Sequence, residues 1–203
     1  MVAIIDYGVG NLFSLKSSFA AIGVEAVVTK NYEEIAKADR IILPGVGAFK
    51  DAAEKLRKTG LAEIVKKQAV IGKPLMGICL GMQLLFEKSF EYGEHEGLGL
   101  IIGSVKPISD VIPDNLKIPH IGWNALIIKN GVSPIFKYIK YGDYVYFVHS
   151  FYATECDKNI IATTEYGAEL TAAVADKNVY GCQFHPEKSG DVGLKILKAF
   201  CEL

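Results

Sequence analysis

Short apolar runs alternate with amphipathic stretches through the first half of the chain. Val2 to Asp6 opens the chain with an apolar run, the pattern of a buried strand. Asn11, a good N-cap residue, then precedes Leu12, Leu15, Phe19 and Ile22 at helical spacing, which predicts a helix. Val24 to Val28 reads as the second strand, and a short helix starts near Asn31. Arg40 to Leu43 is a third strand, ended by Pro44-Gly45. A helical pattern runs from about Ala48 to Gln68, interrupted at Thr59-Gly60. Pro74 to Ile78 reads as another strand and Leu80 to Lys88 as another helix. This rhythm specifies a parallel sheet with helices on its faces.

From about Ser104 the texture changes. Strand-like runs cover Ser104–Ile108, Trp123–Ile128, Tyr144–Tyr152, Ile160–Glu165, Thr171–Ala175 and Val179–Gln183, and a helix from about Asp191 to Glu202 closes the chain. No repeat, low-complexity tract or Pro/Ser-rich linker divides it, so residues 1–203 read as one domain. The expected class is α/β: an open, mostly parallel sheet flanked by helices, with additional antiparallel strands in the second half.

Composition removes several functions. With 22 basic and 23 acidic side chains among 203 residues, the chain has no charge footprint for nucleic acid or an anionic membrane. No apolar run approaches the ~20 residues of a membrane span, and the N-terminus lacks the basic flank of a signal peptide. A cytoplasmic protein is expected. Cys79, Cys156, Cys182 and Cys201 are scattered without a C-x-x-C pair, so free thiols are expected and no metal.

Gly77-Ile78-Cys79-Leu80-Gly81 sits where a buried strand meets a helix, the nucleophile-elbow pattern with Cys in place of Ser. A sharp turn there strains Cys79 and leaves no room for side chains at 77 and 81. It also presents the thiol at a strand's carboxyl end and at a helix N-terminus, which favours the thiolate. The Leu80 N–H is left free for an oxyanion.

His185 is the candidate base. It and Glu187 lie two apart in an extended run, Gln183-Phe184-His185-Pro186-Glu187, and therefore share a face. A carboxylate beside the imidazole fixes its tautomer and stabilises the imidazolium. His95, solvated between Glu94 and Glu96, His120 in a loop after Pro119, and His149 in a strand-like run read as structural. Leu43-Pro44-Gly45-Val46-Gly47 ends another strand with a turn able to present backbone N–H groups to negative charge.

These motifs, with Asp6-Tyr7-Gly8-Val9-Gly10-Asn11-Leu12, Met82-Gln83-Leu84-Leu85-Phe86, Pro119-His120-Ile121-Gly122-Trp123-Asn124 and Tyr146-Phe147-Val148-His149-Ser150, run through essentially the whole chain. Together they resemble the class I, triad-type glutamine amidotransferase domain, and within it the glutaminase subunits of imidazole glycerol phosphate synthase, from histidine biosynthesis. The resemblance implies that Cys79 attacks the carboxamide of L-glutamine, that His185 and Glu187 complete the triad, and that backbone near Val46, Gly47 and Leu80 forms the oxyanion hole. It implies a glutamine pocket of Gln83, Glu91, His149, Ser150 and Phe151, and no cofactor. Phe151 departs from the tyrosine commonest after His-Ser in this family, which removes a hydroxyl from the pocket wall.

The resemblance further implies a heterodimer with a (β/α)8-barrel cyclase. Ammonia from glutamine passes to it for synthesis of imidazole glycerol phosphate and aminoimidazole carboxamide ribonucleotide. Asn11, Trp123, Asn124 and Lys188 are the expected partner-facing residues, with Trp123 as a natural anchor. A paralogous glutaminase feeding a different synthase, such as one that aminates a sugar for surface polysaccharide, carries the same catalytic residues.

Overall fold

The computed structural model describes residues 1–129 and 133–203. The chain opens with β1 (Val2–Ile5), α1 (Leu12–Ala21), β2 (Ala26–Thr29), α2 (Tyr32–Lys37), β3 (Arg40–Leu43), α3 (Phe49–Lys58), α4 (Leu61–Val70), β4 (Leu75–Ile78) and α5 (Leu80–Gln83). Then follow β5 (Phe86–Ser89), β6 (His95–Glu96), β7 (Ile101–Pro107), β8 (His120–Ala125), β9 (Ile127–Ile128), β10 (Tyr144–His149), β11 (Phe151–Thr154), β12 (Ile160–Glu165), β13 (Glu169–Asp176), β14 (Val179–Cys182) and α6 (Gly190–Cys201).

The main sheet has the order β2-β1-β3-β4-β14-β13-β12-β9. The pairs from β2 to β14 are parallel, and β13, β12 and β9 extend it antiparallel. The apolar runs are explained by burial on both faces. Ala3, Ile5, Ile41, Leu43 and Leu75 pack with residues of α2, α3 and α4, whereas Val2, Ile4, Ile42, Met76 and Ile78 pack with α1 and α6. Successive strand residues point to opposite faces, so both kinds of position must be apolar.

Among the α-helices of the described residues only α2 starts with a side-chain cap. Asn31 Oδ1 accepts from the Glu33 and Glu34 amides at 2.8 and 3.2 Å, capping α2. Asn11 occupies the N-cap position of α1, but its side chain makes no capping bond. Gly60, at φ +71°, breaks the long amphipathic stretch into α3 and α4.

Three readings need correction. The helix expected from Leu80 to Lys88 is a single turn, α5, followed by strand β5. The Leu84, Leu85 and Phe86 carbonyls accept from Leu98, Leu100 and Gly99 at 2.8–3.0 Å, so pairing with a distant segment replaces helical bonding. The run Tyr144–Tyr152 divides at Ser150 into β10 and β11, which belong to different sheets. The run Trp123–Ile128 likewise divides: β8 pairs with β10, and β9 with β12. A smaller sheet, β11-β7-β5-β6, and the β8–β10 ribbon thus flank the carboxyl end of the main sheet, where the site lies.

Candidate active site

Cys79 sits at the carboxyl end of β4, which runs parallel beside β14, with φ +55° and ψ −115°. A non-glycine residue in this region is strained by about 1–3 kcal/mol, and its surroundings hold it there. Its N–H donates to the Cys182 carbonyl at 2.7 Å. A Cβ on Gly77 would lie 2.5 Å from the Gly81 carbonyl oxygen, and one on Gly81 would lie 1.9 Å from that of Leu43. Gly45 closes the lock, since its Cβ would meet the Gly81 nitrogen at 2.5 Å. The elbow and the turn after β3 therefore interlock, backbone against backbone. Because α5 is one turn long, little helix dipole acts on the sulfur.

His185 is delivered by the chain leaving β14. Its N–H donates to the Tyr146 carbonyl at 2.9 Å, and Ser189 Oγ donates to its carbonyl at 2.7 Å. His185 Nδ1 lies 2.8 Å from Glu187 Oε1, with both side chains almost fully buried. A carboxylate accepts, so Nδ1 carries the hydrogen. His185 Nε2 is buried without a hydrogen-bond partner. Burial pulls the His185 pKa down, but the neighbouring Cys79 sulfur and the Glu187 carboxylate outweigh it and lift it to about 9. The upward shift favours the doubly protonated ring, whose Nε2 no protein group engages.

A cavity of about 400 Å³ opens beside the thiol. Val46, Gly47, Cys79, Leu80, Gln83, Glu91, His149, Ser150, Phe151, His185 and Lys188, all named from sequence, line it. Glu187 lies behind His185 and does not. Gln83 Nε2 donates to the Phe151 carbonyl at 3.1 Å and to Gln183 Oε1 at 3.0 Å. Glu91 Oε2 accepts from the Phe49 N–H, tying the cavity rim to the start of α3. Trp123 and Asn124 border a separate concavity with Tyr144 and Glu165, and Asn11 lies outside both. Trp123 is 51% exposed and meets the Tyr146 ring edge-on, while Lys188 Nζ lies over the same ring, 5.8 Å from its centroid.

Several site residues escaped the sequence reading. Gln183 donates to Cys79 Sγ at 3.8 Å; its spacing of two from His185 was the available signal. The buried Tyr7 hydroxyl donates to the Pro44 carbonyl at 2.7 Å, and its pKa is raised by burial and by the nearby Cys79. Tyr92 and Pro119 also line the cavity, Tyr92 packing edge-on against Phe151. His120 is not in a loop: it begins β8 and is fully buried. His95 is only half-exposed, its Nε2 buried without a partner. Among the described residues, no cluster of three or more His, Cys, Asp or Glu is arranged to hold a metal, and no helix is long and apolar enough to cross a membrane.

The model of the family described as glutamine amidotransferase class-I matches residues 3–202. The chain belongs to the class I glutamine amidotransferases. Within the family, relatives of high identity are named as subunits of one synthase. A protein of Caldanaerobacter subterraneus subsp. tengcongensis named imidazole glycerol phosphate synthase subunit HisH is 53% identical over 204 residues, covering 100% of this chain and 98% of its own. The HisH of Lactococcus lactis subsp. lactis is 51% identical, over 99% of this chain and 98% of its own. The chain is therefore a HisH-type glutamine amidotransferase, an enzyme of histidine biosynthesis. Solved structures show the same fold. One described as a glutamine amidotransferase superposes with TM-score 0.76 at 19% identity, covering 99% of this chain and 100% of the other. The structure of PurLQS from Thermotoga maritima gives 0.74 at 23% identity, over 99% and 97%.

Proposed function

We propose that Cys79, His185 and Glu187 are the catalytic triad with which this chain hydrolyses glutamine to glutamate and ammonia. The carrying observation is the buried His185–Glu187 pair, whose free Nε2 sits in the same cavity as a thiol held at a strained elbow. The Cys79 proton passes to His185 Nε2 and the thiolate attacks the side-chain carbonyl carbon, while the developing oxyanion is met by the backbone N–H of Leu80 and of the Val46-Gly47 turn. As the C–N bond breaks, His185 Nε2–H protonates the departing nitrogen, leaving a glutamyl thioester on Cys79. The neutral imidazole then takes a proton from water, whose oxygen attacks the thioester, and glutamate and the thiol are regenerated. Glu187 keeps the tautomer correct throughout. Gln83, Glu91, His149, Ser150 and Phe151 form the glutamine pocket, and the whole of residues 1–203 acts as one domain.

The relatives are named as subunits, which supports a second subunit that consumes the ammonia. That partner is the barrel cyclase, docked over Asn11, Trp123, Asn124 and Lys188. The complex works in the cytoplasm. The test replaces Cys79 by Ala and follows glutamate release with the cyclase present, together with covalent labelling by a glutamine-like electrophile. Both are expected to vanish. Glutamate release by Cys79→Ala at the wild-type rate would remove Cys79 from the role.

A further inference from the structure

The wall of the cavity continues into a chain of hydrogen bonds whose proton count is odd. Asn124 Nδ2 donates to the Glu165 carbonyl at 2.8 Å, which leaves Asn124 Oδ1 facing His120 Nε2 at 3.1 Å. An amide oxygen only accepts, so His120 Nε2 must carry a hydrogen. At the other end His149 Nδ1 lies 2.8 Å from the Phe151 carbonyl, so it must carry one too. Between the rings, His120 Nδ1 and His149 Nε2 are 3.0 Å apart, and one of them must donate to the other. The two rings together need three N–H hydrogens, whereas two neutral imidazoles supply two. Without the third, two nitrogen lone pairs face each other, or one faces a carbonyl oxygen.

The surroundings of His120 suit a cation. Its ring is stacked between Phe147, at 5.0 Å and 20°, and Tyr166, at 4.0 Å and 18°. Aromatic faces carry the negative side of the ring quadrupole and attract a charged imidazole. Burial opposes a charge, holding His149 down at about 4 and lowering His120 as well. His185, facing His149 from beyond the cavity, opposes it too, and the Tyr166 phenol is the titratable group stacked on His120. Neither ring alone is placed to keep a proton, but a bridged pair with acceptors at both ends spreads the charge over two rings.

We propose that His120 and His149 share one proton taken from solvent, so that His120 is a positioning residue for the glutamine pocket. The pair stands at a structural seam. His120 and His149 are opposite each other in the β8–β10 ribbon, and immediately beyond His149 the chain turns through Ser150 into another sheet. The Phe151 carbonyl that His149 holds also takes the Gln83 amide, Gln83 holds Gln183, and Gln183 donates to Cys79 Sγ. The clasp thereby fixes the wall against which glutamine is bound. This rests on the reading of the cavity as the glutamine site.

The test uses the full chain with 15N-labelled histidine. At neutral pH the ring nitrogens of His120 and His149 are expected to show three attached hydrogens, one of them a strongly deshielded bridging proton. In Asn124→Leu the third hydrogen is expected to disappear while both rings remain, a result that a purely packing role would not produce. Two hydrogens on the wild-type pair would overturn the proposal. In the complex with the cyclase, His120→Gln is expected to raise the glutamine KM by about tenfold, the equivalent of one net hydrogen bond, with kcat unchanged. The wild-type KM is expected to rise as pH is taken above neutrality and the shared proton leaves, and the variant's to stay flat. An unchanged KM with normal labelling of Cys79 by a glutamine-like electrophile would overturn the positioning role alone. Loss of that labelling in the wild-type chain would overturn the glutamine-site reading and this proposal with it.

Discussion

Replacing Gly81 by Ala tests whether backbone interlock sets the elbow. The added Cβ would lie 1.9 Å from the Leu43 carbonyl oxygen, and ordinary contact begins near 3.4 Å. The obstacle is backbone, so no rotamer relieves it; the elbow and the turn after β3 must part by roughly 1.5 Å. Overpacking of this kind costs about 1–3 kcal/mol, which in a chain of this length lowers Tm by about 2–4 °C per kcal/mol. The same displacement moves Leu80 relative to Val46 and Gly47, and misplacement by about 1 Å lowers turnover by about 10²-fold. The assay pairs thermal unfolding with kcat for glutamine hydrolysis in the presence of the cyclase. Gly23→Ala is the comparison, because Gly23 has φ +74° but nothing within 4 Å of its Cβ position, so it reports left-handed backbone strain alone. If Gly81→Ala lowers Tm no more than Gly23→Ala and keeps kcat within about twofold, the interlock does not set the elbow.

Glu187→Gln removes one of the two influences that raise the His185 pKa to about 9. Because the folded value lies above the ordinary 6.5, protonated His185 contributes stability that is full below about pH 6.5 and lost as pH rises through about 9. The alkaline limb of the kcat/KM profile is therefore expected to move to lower pH in this variant, and a limb that stays in place would remove Glu187 from that role. Tyr7→Phe leaves the buried Pro44 carbonyl without its 2.7 Å partner. A loss of about 1–3 kcal/mol in denaturant unfolding is expected, with a lower kcat because the turn after β3 is no longer tethered. Trp123→Ala is expected to leave Tm nearly unchanged, since half of the side chain is already exposed, while weakening cyclase binding by about 2 kcal/mol or more, measured by titration calorimetry.

The parallel half of the fold was legible because double-faced burial writes itself as continuous apolar runs. Arg40–Leu43 has the bounds the pattern predicts, as does Ile160–Glu165 in the antiparallel extension, and Gly60 breaks the long helix where expected. The stretch after Cys79 was not legible. Leu84, Leu85 and Phe86 suit a helix locally, and only bonds from residues 98–100 make the chain leave it. Cys79, His185 and Glu187 were readable as candidates because elbow glycines and a two-residue spacing are local signals. Tyr7, Gln183 and His120 were not, because each acts through a partner far along the chain: Pro44, Cys79 and His149.

The same distinction explains how the site is held. No local element fixes the sulfur, the imidazole and the pocket wall together. Three connections do: Gly45 and Gly77 against Gly81, Ser189 with Tyr146 around the His185 backbone, and the Gln83–Gln183 pair between Phe151 and Cys79. Each links a different strand, β3, β10 or β11, to the carboxyl ends of β4 and β14. A change that loosens the β8–β10 ribbon is therefore felt at the pocket wall first and at His185 second, through Tyr146, whose carbonyl receives the His185 N–H. Variants in that ribbon are expected to separate KM from kcat, whereas variants at the glycine interlock strike turnover directly.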